Sequence, residues 1–300
     1  MASMREIKRR KGSIQSTAQI TKAMKLVSTV KFQKAKGKAE GSKPYFDKMY
    51  ETVTSILART GNMIHPYLTG SGCDRKAVIV ITSNRGLAGG YNANIIKLIT
   101  GAGFEPENVI LYTIGRKGKD VLSHHGYTVA KDYSDVIEAP LYSDARSIGK
   151  EVLDDFAAGR IGEIYLAYTS FKNTVVHIPR LLRLLPVSPA ETGTEQSFAS
   201  EGNSLGAGGA LRGGELPMNY EPSAPEALNE IVPKYVCSLI YGALMEAVAS
   251  ENGARMTAMD NATSNAEEMI DALTLSYNRA RQGAITQEIT EIVSGSEALA

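Results

Sequence analysis

The chain has 300 residues, enough for one or two domains with a substantial core, and its composition (43% hydrophobic, 22% charged, 7% aromatic, no Trp) is that of a folded protein. Wholesale disorder, a collagen-like repeat and a disulfide scaffold are excluded: Cys73 and Cys237 cannot build a framework, and a reducing compartment is expected. Bases (33) and acids (32) nearly balance, yet residues 1–39 carry eleven Lys/Arg against Glu6 alone, whereas residues 226–300 carry eleven acids against four bases, so the two ends are expected to meet.

The start, MASMREIKRRKG, has no apolar stretch of the secretory kind. No apolar run approaches the 18 or so residues of a membrane span, and no bilayer crossing is expected. Residues 3–58 predict a long helix, interrupted near Gly41 and Pro44 and resuming through 45–60. Its apolar stripe is Ile7, Ile14, Ile20, Met24 and Val27, thin enough to require a partner helix.

The period then changes. KAVIVIT (76–82), NVILYTI (108–114) and EIYLAYT (163–169) read as buried strands, with helices over 91–100, 116–125 and 141–158. Residues 174–187 read as a further strand or two, with Pro179 favouring a sheet edge. Strand and helix in alternation predict a mostly parallel, doubly wound α/β domain over 74–190. Residues 191–215 carry seven Gly and read as a flexible insertion, bounded near 217.

From Lys234 to Ser294 there is no Pro, and apolar or small residues recur from Val236 and Ile240 to Ala280 and Ala284, predicting one terminal helix over about 226–297. Its repeat of about 3.6–3.7 residues predicts close but weakly supercoiled pairing with the N-terminal helix of residues 1–60. At 1.5 Å per residue such a helix is roughly 90 Å long. A 300-residue globule of radius of gyration about 19 Å cannot contain it, so a protruding shaft is expected. The fold class is therefore α/β, with an antiparallel coiled coil of the terminal helices interrupted by a Rossmann-like domain.

Signals of chemistry are few. SNRGLAGGYN (83–92) follows the first buried strand, where a nucleotide-binding fold would hold phosphate. Its spacing is neither G-x-G-x-x-G nor G-x-x-x-x-G-K-[ST], so Gly86, Gly89 and Gly90 read as a structural turn and no cofactor is expected. His65, His124, His125 and His177 lack metal-ligand spacing, and Glu267–Glu268 reads as a solvated face. The basic N-terminal run holds one aromatic, Phe32, and a helical stripe, which argues against nucleic acid. The competing readings are a nucleotide-dependent α/β enzyme with helical arms and a nucleic-acid-binding coiled coil.

Three blocks narrow the choice. REIKRRKGSIQSTAQITKAMKLVSTVKFQKA (5–35), SENGARMTAMDNATSNAEEM (250–269) and RQGAITQEITEIVSGSEAL (281–299) resemble the γ subunits of F-type ATP synthases. SNRGLAGGYN is similar to that family's glycine turn, with Ala88 where Cys is frequent, and the resemblance covers essentially the whole chain. It implies a central rotor stalk that catalyses nothing alone and binds neither nucleotide nor any other small molecule. The paired helices would pass through a ring of α and β subunits. The α/β domain would stand on the membrane-embedded c ring beside the ε subunit, at the cytoplasmic face of a bacterial membrane.

The resemblance assigns contacts with the catalytic subunits to Arg281 and Gln282, to Arg255 and Thr286, and to Met24 with Lys25. Met24 equally fits an interhelical core, and Arg255 a charge flanking the stripe. The paired cysteines of chloroplast-type members are missing here, and their thiol switching is not expected.

Overall fold

A computed structural model describes residues 4–59, 65–70, 72–173, 176–187 and 223–297. The glycine-rich stretch 191–215 lies outside the described residues. The elements in order are α1 (Met4–Arg59), α2 (Pro66–Thr69), β1 (Lys76–Ile81), α3 (Tyr91–Thr100), β2 (Val109–Ile114), α4 (Arg116–His124), β3 (Thr128–Asp132), α5 (Tyr142–Ala157), β4 (Glu163–Phe171), β5 (His177–Leu185) and α6 (Ala224–Glu297). They form two compact units, Val30–Ala254 and the pairing of Met1–Thr29 with Arg255–Ala300.

The larger unit is built on a five-stranded sheet of order β3-β2-β1-β4-β5. β1 pairs in parallel with β2 and β4, β2 in parallel with β3, and β5 closes the sheet antiparallel to β4. Ala77 through Ile81 are each fully buried, because helices cover both faces of the central strand. Side chains alternate accordingly. Ile79, Ile81 and Tyr112 pack with Ile148, Val152 and Phe156 of α5 and with Val236, Ile240 and Leu244 of α6. Val78, Val80 and Leu111 pack with Ile95 and Ile99 of α3 and Leu122 of α4. Pro179 sits on the edge strand β5, opposite Thr169 of β4, as its missing N–H predicts.

Three sequence expectations change. α1 runs unbroken through Gly41 and Pro44; a proline removes one backbone donor, and the bonds on either side carry the helix past it. The start of α6 at Ala224 lies two residues from the expected 226, with Pro233 inside the helix. β3 is an added strand without an apolar run, since four of its five residues are exposed and pairing with β2 alone defines it. Finally, α6 does contain an 18-residue window of mean hydropathy 1.4, and 67% of it is buried within the chain. The buried side chains between Leu228 and Ala249 make this stretch a core helix of the α/β unit.

Candidate functional site

The turn after β1 is the first place to look for chemistry, because the connections leaving the adjacent strands β1 and β4 lead to β2 and β5 on opposite sides of that pair. Its polar groups are spent on the chain itself. Thr82 Oγ1 accepts from the Gly118 amide at 2.9 Å and donates to the Gly115 carbonyl at 3.1 Å. Asn84 Oδ1 accepts from the Arg116 amide at 3.1 Å, and the Ser83 carbonyl from the Lys117 amide at 3.1 Å. The first amides of α4 are thus taken in sequence by the β1 turn. Asn92 Oδ1 accepts from the Ser83 amide at 2.9 Å and completes the closure.

Among the three predicted turn glycines, only Gly89 (φ 56°) needs left-handed backbone. Gly90 caps α3 at φ −81°, and Gly86 has a conventional φ with open space where a Cβ would go. The left-handed non-glycine is Leu87 (φ 63°), 61% exposed at the tip of the turn.

Sequence reasoning finds no acid pair in the α/β domain, yet Glu151 and Asp155 stand one turn apart on α5. Glu151 accepts from Tyr133 Oη and Lys131 Nζ, each at 2.5 Å, and Asp155 accepts from Tyr112 and Arg160. Burial pushes both carboxyls up, but these donors outweigh it and hold both below the ordinary carboxylate range. Burial and the same carboxylates push Tyr112 and Tyr133 well above the ordinary phenol range. With both carboxylates so engaged, these groups tie α5 to the sheet.

Among the described residues no three His, Cys, Asp or Glu side chains converge as metal ligands would. His124 and His125 donate from Nδ1 to carbonyls of their own helix, and buried His65 caps α2.

The predicted contact residues lie in the smaller unit, apart from all of this. Thr21 Oγ1 and Thr263 Oγ1 are 2.7 Å apart, and Lys25 Nζ is 2.5 Å from Asp260 Oδ1. As the position rises along one helix it falls along the other, so the pair is antiparallel. The inward positions of α1 are Met4, Ile7, Lys11, Ile14, Ala18, Thr21, Lys25 and Ser28, each buried or half-buried. Those of α6 are Met259, Thr263, Ala266, Ile270, Leu273, Tyr277 and Ala280.

Both series alternate steps of three and four residues, a 3.5 repeat rather than the predicted 3.6–3.7. Stepping out from Thr21–Thr263 brings Ala18 level with Ala266, Ile14 with Ile270, Ile7 with Tyr277 and Met4 with Ala280. Met269 and Ala284, both in the predicted stripe of α6, are exposed. So are Ile20 (60%) and Val27 (58%) of α1.

The six contact candidates now separate. Arg281, Gln282 and Thr286 are exposed, and the Thr286 hydroxyl donates back to the Gln282 carbonyl at 2.9 Å. Met24 is half-buried beside the seam, Lys25 is committed to Asp260, and Arg255 is only 9% exposed. Beyond Ala280 every described side chain of α6 is exposed. Ile285, Ile289, Ile292 and Val293, at spacings of four, three and one, draw one apolar stripe along that bare helix. Such a surface costs free energy in water and offers a partner both an apolar face and, at Arg281–Gln282, a fork of donors.

Comparison with known proteins agrees with this geometry. The family described as ATP synthase matches residues 3–299. The chain is 61% identical over 299 residues to the ATP synthase gamma chain of Lachnoclostridium phytofermentans, covering 100% of both. It is 41% identical over 297 residues to the sodium-ion-specific gamma chain of Acetobacterium woodii, covering 99% of this chain and 98% of that one. In fold it is similar to the rotor of the Euglena gracilis mitochondrial ATP synthase, with a TM-score of 0.64 at 17% identity, covering 94% of this chain and 98% of the other.

Proposed function

The chain belongs to the ATP synthase gamma-chain family, and on that premise we propose that it is the central rotor stalk of an F-type ATP synthase. It couples ion flow through a membrane-embedded c ring to the catalytic subunits, and catalyses nothing alone. The paired helices of the smaller unit run inside the ring of α and β subunits. The α/β unit meets the c ring and the ε subunit at the cytoplasmic face of the membrane.

One observation carries the reading. Every described side chain of α6 past Ala280 is exposed, and the stretch bears an apolar stripe beside Arg281 and Gln282, a surface built to be covered. The self-capped turn after β1 supports a scaffolding α/β unit over a nucleotide-dependent enzyme.

Arg281 and Gln282 are the working contact, with Thr286 one turn along α6 beside them and Met24 a separate contact near the Thr21–Thr263 layer; the pair suits a carboxylate and a hydroxyl on a catalytic-subunit loop. A stalk releases each contact as it turns, so their loss falls on turnover more than on assembly. Arg281→Ala with Gln282→Ala lowers ATP hydrolysis by the purified complex severalfold while subunit stoichiometry is kept. The chain's own stability shifts by less than about 1 kcal/mol, as for most exposed substitutions. Wild-type hydrolysis by a normally assembled double variant would sink the assignment.

A further inference from the structure

The apolar pattern of α1 and its buried face part company at one place. Ile7 and Ile14 keep the phase of the seam, and both are half-buried. From there the apolar residues run one position early: Ile20, Met24 and Val27 precede Thr21, Lys25 and Ser28. One residue is about 100° of helix rotation. A local roll of that size would carry Ile20, Met24 and Val27 into the seam and turn Thr21, Lys25 and Ser28 out to water. Burial of apolar area favours the rolled arrangement. The structure has the other one, with Ile20 and Val27 out and Ser28 only 3% exposed.

What opposes the roll is polar and directional. The two hydroxyls lie 2.7 Å apart, and either can donate across the seam: Thr263 Oγ1 is also 2.7 Å from the Met259 carbonyl and Thr21 Oγ1 3.1 Å from the Ala18 carbonyl, so each has an acceptor on its own helix for the other proton. Both threonines are buried, at 8% and 9% exposure, so a roll would leave the Thr263 hydroxyl inside the seam without its partner on α1. One turn along, Lys25 and Asp260 close a charged bond at 2.5 Å, and a roll would open it. A polar group at a core position of a coiled coil is a known means of fixing one arrangement at some cost in stability.

We infer that Thr21–Thr263 and Lys25–Asp260 form a rotational lock that holds this stretch of α1 with Ile20 and Val27 turned away from α6. Lys25 is then a positioning residue, and the face it positions is the one the surrounding ring covers. The lock itself stands on the geometry of the helix pair, and only the identity of what covers the face rests on the proposed function.

The test is thiol accessibility on the full-length chain without partners. Cys73→Ser removes the half-exposed native thiol and leaves Cys237, which is 6% exposed. Maleimide labelling is then timed at Val27→Cys and, separately, at Ser28→Cys. With the lock intact, position 27 reacts fast and position 28 slowly. Lys25→Asp, or Asp260→Lys alone, places like charges together; labelling at 27 slows severalfold and at 28 quickens severalfold. Combining Lys25→Asp with Asp260→Lys restores both rates. Unchanged rates in the single variants, equal acceleration at both positions, or no restoration in the combined variant would each overturn the lock. Since no partner is present, this result and the Arg281–Gln282 result can fail independently.

Discussion

The two units of this chain answer the same problem, how to hold helices in place, with opposite materials. In the α/β unit, Ala77–Ile81 are fully buried, and Val236, Ile240, Ala243 and Leu244 of α6 pack without any exposure. In the helix pair, Met259 at 4% and Ser28 at 3% are the best-buried side chains, and the seam includes Thr, Ser and Lys. Apolar burial is non-directional and strong, whereas a hydrogen bond is directional and worth about 1 kcal/mol net. The α/β unit is thus cohesive by itself. The helix pair is specified rather than cemented, and keeps its apolar residues for another surface.

The comparison is broken most severely from the α/β side. Gly115 has φ +108°, and a Cβ there would lie 2.1 Å from the Thr82 carbonyl oxygen. Gly115→Ala therefore needs both a strained backbone and a shifted strand, and the unit loses about 4 kcal/mol or more, read as a drop in thermal midpoint. Arrangement, rather than burial alone, was beyond the sequence here. β1, β2 and β4 were legible because both faces of each are covered and their residues are uniformly apolar. β3 was not, since TVAKD becomes a strand only through its partner. The self-capping of α4 by Thr82, Ser83 and Asn84 was equally invisible, because it joins residues some 32 to 36 positions apart.

A middle-sized effect comes from acid. Asp155 and Glu151 sit below their ordinary values of 3.8 and 4.5, held there by Tyr112 with Arg160 and by Lys131 with Tyr133 against the cost of burial. A carboxyl lowered in the folded state contributes stability that is complete above its unfolded value and is lost as pH falls through the folded one. The urea midpoint of the α/β unit is therefore steady near neutrality and falls as pH drops from about 5 toward 3. Asp155→Asn costs about 1–3 kcal/mol at pH 7 by weakening the Tyr112 bond, and its stability varies less with pH over that range. A variant whose acid profile matches wild type would show that these ties do not carry the dependence.

The smallest effect is expected in the helix pair. Thr21→Val with Thr263→Val replaces both hydroxyls by methyls of similar shape, so stability changes by less than about 1 kcal/mol in either direction. The melt of helical circular dichroism checks it. A larger loss would mean that this seam relies on its polar layer for cohesion as well as orientation. The sequence reading went astray at this layer for a physical reason. Pattern analysis assumes that apolar residues face the nearest helix, whereas Ile20 and Val27 face away from it. Arg281 and Gln282, exposed on a bare helix, left no periodic trace at all; only resemblance singled them out.

The antiparallel pairing also sets an order of events during synthesis. Thr21 and Thr263 are 242 positions apart, so at roughly 5–20 residues per second the ribosome needs about 12–50 s to deliver the second after the first. Throughout that interval the opening stretch of α1 has no seam to enter, and most helical stability in proteins comes from such tertiary packing. The seven basic side chains of residues 4–29 keep the waiting segment soluble while the strands between are made. The helix that is translated first is consequently completed last, when the acidic C-terminal stretch arrives to meet it.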